Sequence, residues 1–130
     1  MISRALGLLL LAAALLAPLD VAHAQRREIQ PHMAGWENLF TVEFGPGQYR
    51  GQPALEGTVT NISPYDVTRV QLLVDTLDAT GNVMSQNITY VPGDLRGGSR
   101  VFFSVPAAPA PAYRVRVYTY ERIESNGPFR

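Results

Sequence analysis

The feature that most constrains this fold is segment 55–83, in which two strand-forming runs are separated by turn residues. The first run ends at Ser63-Pro64, where proline fixes φ and has no N–H to donate to a ladder. The second run is longer and stops at Asp78–Asn82, where Gly81 can adopt positive φ. The order strand, turn, strand, turn predicts antiparallel β-structure.

The same pattern continues along most of the chain. Pro and Gly separate the runs, Gly45-Pro46-Gly47 is expected to end the first strand, and the short connections exclude parallel crossovers. The stiff connector Pro106–Ala112 suits a chain crossing between two sheets. We therefore predict an all-β, small immunoglobulin-like β-sandwich of about six to seven antiparallel strands. The six runs that carry this prediction are 39–44, 54–62, 67–77, 83–91, 100–105 and 113–121.

The third run alternates in a way that assigns most of its side chains to one of two faces. Val70, Leu72 and Val74 form the predicted inner row. Leu73 and Asp75 fall on the outer row, and Asp75 is expected to be exposed. An apolar Leu73 on that row indicates either a strand covered on both faces or a β-bulge.

The N-terminus has the pattern of a secretory signal peptide. Arg4 precedes an uncharged apolar run, and Ala22-His23-Ala24 supplies the small residues of a cleavage site, so we expect residues 1–24 to be removed after Ala24. The run is too short to span a bilayer, and no later stretch is apolar enough to do so. The mature chain is then expected to be periplasmic or secreted, with a flexible lead-in at 25–38, a sandwich at 39–122 and a tail at 123–130.

Charge and composition argue against several classes of function. The formal net charge is zero and there is no Cys, whereas nucleic acid or an anionic membrane would require a basic surplus. The mature chain has a single His, His32, in the lead-in, so a nucleophilic triad is not expected. A carboxylate pair of Asp75 and Asp78 is formally possible, but an exposed strand residue and a turn-forming residue are the favoured interpretation. His32, Met33 and Met84 are too few for a copper or zinc site, so the sequence predicts no enzyme, no cofactor and no metal.

Several structural motifs resemble the FxLYD-type domains of bacterial envelope proteins. The matching pieces lie between residues 54 and 117: Gly57–Ser63 (GTVTNIS), Leu77–Val83 (LDATGNV), Val105-Pro106 and alternating Tyr113, Val115 and Val117. Val74 stands where that family typically has Phe, and Gly97 replaces its usual Pro before Gly98. The resemblance implies an immunoglobulin-like interaction or spacer module, without shared catalytic residues to transfer.

Two surfaces are candidates for recognition of a partner, which we expect to be another envelope protein. Arg114, Arg116, Tyr118 and Tyr120 should share the outer face of the last strand, and Arg and Tyr are common in binding hot spots. We expect Arg116→Glu to leave folding nearly intact. The polar strand 83–91 is a predicted sheet edge open to strand addition. The alternative function is a small periplasmic metal- or ligand-carrying protein.

Overall fold

A computed structural model describes residues 27–124, which form two three-stranded antiparallel sheets packed as a β-sandwich. The predicted signal peptide and most of the predicted tail lie outside the described residues. A short 3₁₀ turn, Trp36–Asn38, precedes the first strand. The six strands are β1 (Phe40–Tyr49), β2 (Gln52–Asn61), β3 (Val67–Leu77), β4 (Val83–Tyr90), β5 (Arg100–Pro106) and β6 (Ala112–Arg122).

The strand order confirms the predicted all-β sandwich. One sheet has the order β1-β2-β5 and the other β4-β3-β6. The β1–β2 and β3–β4 connections are hairpins, whereas the other three connections cross between the sheets. The order corresponds to strands A-B-E and C′-C-F of an immunoglobulin-type sandwich. The proline-rich connector after β5 crosses between the sheets as predicted.

The first strand is longer than predicted, because Gly45-Pro46-Gly47 does not end it. β1 continues to Tyr49 and pairs with β2 along its whole length, with Pro46 opposite Leu55. Proline is tolerated there because β1 is an edge strand and needs hydrogen bonds on one side only. The chain reverses at Arg50 and Gly51, whose φ angles of 51° and 75° are those of a two-residue type I′ hairpin turn.

Strand β3 is covered on both faces, which accounts for Leu73, and it also has a bulge that lies upstream of Leu73 and leaves this residue on the outer row. Arg69 has a φ of 52°, and the register with β6 shifts between Thr68 and Gln71. The extra residue explains why Val67 and Val70, three positions apart, are both buried. Beyond the bulge, the predicted inner row is confirmed. Val70, Leu72 and Val74 belong to the core cluster.

The core lies between the two sheets and is closed at one end by a polar clasp around Asn61. Asn61 is fully buried, and its Nδ2 donates to the carbonyl oxygens of Tyr65, at 2.6 Å, and Leu95, at 3.0 Å. Its Oδ1 accepts from the backbone N–H of Ser63 at 3.0 Å. One amide side chain therefore joins the β2–β3 turn to the loop before β5. Trp36 packs against the same core.

Candidate functional site

The carboxylate of Asp75, in the middle of β3, lies at the centre of a charged hydrogen-bond network. Asp75 is fully buried. Its Oδ2 accepts hydrogen bonds of 2.8 Å from Arg114 Nε and from Arg116 Nη2, and Arg114 Nη2 lies at the same distance. Its Oδ1 accepts from Gln86 Nε2 at 2.9 Å. The expectation that Asp75 is exposed is therefore wrong, because both neighbouring strands direct donors onto its carboxylate.

Strand pairing in the β4-β3-β6 sheet explains how these groups meet. Asp75 stands opposite Gln86 of β4 and opposite Arg114 of β6. Residues directly opposite one another in antiparallel strands point to the same face, so the three side chains converge on the outer face. Arg116 reaches the same oxygen from two residues further along β6. The side chain of Arg116 is 15% exposed and that of Arg114 39%.

Residues 27–34, here called the strap, cross the outer face of this sheet. The backbone N–H of Ile29 donates to Gln86 Oε1 at 2.8 Å, and Gln86 Nε2 donates to the Ile29 carbonyl at 2.9 Å. Arg116 Nη1 donates to Gln30 Oε1 at 3.1 Å. The His32 N–H donates to the carbonyl of Tyr118 at 2.8 Å. This part of the predicted flexible lead-in thus contacts both β4 and β6.

Leu73 is an apolar residue on the same outer face and is also buried. Leu73 has no exposed area, yet it lies outside the core cluster between the sheets. Its neighbours on the outer face are Ile88 and Arg116. Since the strap is bonded to residues on either side of β3, it is the segment placed to shield Leu73 from water.

The outer face of β6 differs from the predicted one at its last member. Arg114, Arg116 and Tyr118 lie on it, and the Tyr118 ring meets His32 edge-on at 6.0 Å. Tyr120 instead packs edge-on against buried Phe40, with ring centroids 5.0 Å apart. The prediction that all four residues share the outer face is therefore wrong for Tyr120. The cause is one extra residue, Tyr118, in β6. Val117 and Thr119 pair with two adjacent residues of β3, so the alternation of side chains between the two faces is reversed beyond Tyr118.

Strand β4 provides a different kind of surface, a free edge. It pairs with β3 on one side, and in the order β4-β3-β6 no strand of the described region follows it. Met84, Ile88 and Tyr90 are exposed at 53%, 41% and 68%. The predicted sheet edge is confirmed for residues 83–90, whereas Val91 lies beyond β4 and is buried in the core. The edge is also more apolar than predicted.

The two aspartates singled out in the sequence have separate partners. Asp78 Oδ1 accepts from the backbone N–H groups of Thr80 and Asn82, each at 2.9 Å, and from the Thr80 hydroxyl at 2.8 Å. These bonds, above all that from the Thr80 side chain, lower the pKa of Asp78 below its usual value of 3.8. Asp78 thus stabilises the β3–β4 turn, while Asp75 belongs to the arginine network.

Within 27–124, no three His, Cys, Asp or Glu side chains lie together in a way that holds a metal ion. In the same range, no helix is both long enough and apolar enough to cross a bilayer.

Comparison with known proteins gives no relative from which a function can be transferred. No family model, no curated protein and no solved structure matches the chain.

Proposed function

We propose that this chain is an exported, non-catalytic β-sandwich module of the bacterial envelope that binds an extended segment of another protein along β4. The observation that carries the proposal is the free edge of β4 together with its exposed Ile88 and Tyr90. Strand addition uses the backbone of an edge for affinity and its side chains for specificity.

The direction of the β4 backbone groups supports this mode of binding. The Val91 N–H donates to the carbonyl of Val70 in β3 at 2.8 Å. Because N–H groups alternate in direction along a strand, those of Thr89 and Asn87 also point toward β3. Those of Ile88 and Tyr90 therefore point away from it and are available to a partner strand.

Export and family membership are parts of the same proposal. The signal-like N-terminus supports secretion or periplasmic residence, and the motifs around Gly57–Ser63 and Leu77–Val83 support kinship with FxLYD-type modules. A non-catalytic role is supported by the contacts of Asp75 and Asp78, since each carboxylate is committed to groups of its own domain.

The test is site-specific crosslinking from β4 in envelope extract. A photoreactive residue at Tyr90 is expected to crosslink a partner through an extended segment, mapped by mass spectrometry. Adding Ile88→Pro removes an outward N–H and should abolish the crosslink, whereas Ile88→Ala keeps that N–H and should preserve it. Proline on a free edge leaves the β3 ladder intact, which circular dichroism of each variant verifies.

Equal crosslinking in both variants would exclude strand addition at β4. If neither variant nor the parent chain crosslinks a protein, the alternative of a small periplasmic metal- or ligand-carrying protein gains weight. Native mass spectrometry of the purified chain then tests that alternative.

A further inference from the structure

The outer face beneath the strap has the features of a peptide-binding surface distinct from the β4 edge. We infer that it accepts an extended segment bearing a carboxylate, supplied by a partner protein, and that the strap occupies the same surface when the partner is absent. This inference depends on the contacts of residues 29–32 and not on strand addition at β4.

The first argument is that one side chain binds the backbone of the strap. The Gln86 amide accepts from the Ile29 N–H and donates to the Ile29 carbonyl, the same two bonds that a neighbouring strand residue would form. These contacts do not depend on the identity of the side chain at position 29. A foreign extended segment could therefore satisfy Gln86 equally well.

The second argument is that the charges beneath the strap are unbalanced. Arg114 and Arg116 carry two positive charges, and Asp75 supplies the one negative charge joined to them in the network. Arg116 Nε is also buried without a hydrogen-bond partner among the described residues. A further anion at this face would offset the remaining charge.

The third argument identifies where that anion would lie. Arg116 Nη1 donates to the neutral amide oxygen of Gln30 at 3.1 Å. Hydrogen bonds from guanidinium to carboxylate are shorter and roughly twice as strong as neutral ones. A segment with Glu at the position of Gln30 would therefore bind this face more tightly than the strap does.

The strap is also attached in a way that permits exchange. It has no regular secondary structure, and its described hydrogen bonds to the sheet are made at Ile29, Gln30 and His32. Gly35, with a φ of 81°, follows the strap and begins the 3₁₀ turn. Because these contacts are few and Gly35 adjoins them, the strap can detach from the sheet while β1 stays in place.

The experiment uses three fluorescent peptides that have the sequence of residues 27–34 and differ at the position of Gln30. One carries Gln30→Glu, one the native Gln and one Gln30→Lys. Titrated into a chain that lacks residues 1–24, here called the processed chain, they should bind in that order of decreasing affinity. The Gln30→Glu peptide should bind about tenfold more tightly to Ile29→Pro than to the matched Ile29→Ala variant, since proline removes the N–H that holds the strap and raises the open fraction.

A second measurement uses the unmodified chain and locates the bound peptide. Binding at this face must displace the strap, so the Gln30→Glu peptide should accelerate amide hydrogen exchange at His32. Equal affinity for all three peptides, or binding that leaves His32 exchange unchanged, would overturn the inference. Absence of binding to the processed chain and to Ile29→Pro would overturn it as well, and none of these results bears on crosslinking from β4.

Discussion

The carboxylate of Asp75 and the guanidinium of Arg116 lie 2.8 Å apart on the outer face of the β4-β3-β6 sheet, beneath residues 27–34. The same arginine donates to Gln30 of the strap. Arg116 therefore joins a fully buried acid to the segment that covers it. A face predicted from sequence as free for recognition is in part an internal polar network.

Charge reversal at Arg116 should destabilise the fold, contrary to the expectation from sequence alone. Arg116→Glu places a second carboxylate beside buried Asp75 and removes a donor, which should cost about 3 kcal/mol of unfolding free energy. Arg69→Glu is the matched control, because Arg69 is exposed and its contact with Glu121 is 3.6 Å long. That control should change stability by less than about 1 kcal/mol in urea denaturation. Equal effects would show that loss of the Arg116–Asp75 contact costs no more than loss of an exposed ion pair.

Gly57→Ala should destabilise the β1–β2 pair. A Cβ at Gly57 would overlap the carbonyl oxygen of Glu43 on the neighbouring strand, so the two backbones would have to separate. We expect a loss of about 1–3 kcal/mol, the usual range for overpacking. Gly45→Ala in the same sheet has open space around its Cβ and should be nearly neutral. Thermal unfolding of the two variants makes the comparison, and identical melting temperatures would contradict the close approach.

Leu72→Ala and Leu73→Ala should both be costly, although the two side chains point to opposite faces of β3. Each is fully buried, so each truncation should cost about 2–5 kcal/mol. Met84→Ala, at a half-exposed position on β4, is the control and should cost far less. A small effect of Leu73→Ala alone would contradict the burial of Leu73 on the outer face.

Asp78 should contribute to stability at neutral pH and lose that contribution in acid. Its pKa is lowered in the folded state, chiefly by the Thr80 hydroxyl, so folding favours the ionised form. This contribution to stability is therefore complete above the unfolded pKa near 3.8 and disappears as the pH falls through the lower folded pKa. An NMR titration of the Asp78 side chain gives the folded pKa, and Thr80→Ala should raise it. A folded pKa at or above 3.8 would contradict the turn contacts.

Local patterns in the sequence predict the strands well, because alternation and turn residues act over a few positions. All six strands and the inner row of β3 follow from them. The extension of β1 past Pro46 does not, since proline is permitted only because β1 lies at an edge. The inward turn of Tyr120 depends on the one-residue irregularity at Tyr118, which disturbs an otherwise strict alternation.

The strap is not predictable from local patterns for a different reason. Its bonds join residues far apart in the chain, with 57 positions between Ile29 and Gln86 and 86 between Gln30 and Arg116. Residues 25–38 have no periodicity that would reveal such partners. The available indication was Leu73, an apolar residue on a row that was expected to face water.

The most direct test is amide hydrogen exchange of the processed chain by NMR, read at the strap and at β4 in one experiment. Slow exchange is predicted at Ile29 and His32, whose N–H groups bond to Gln86 and Tyr118, and fast exchange at Ile88 and Tyr90, which point away from β3. Fast exchange at Ile29 and His32 would contradict the covered face. Slow exchange at Ile88 and Tyr90 in the free chain would contradict the open edge.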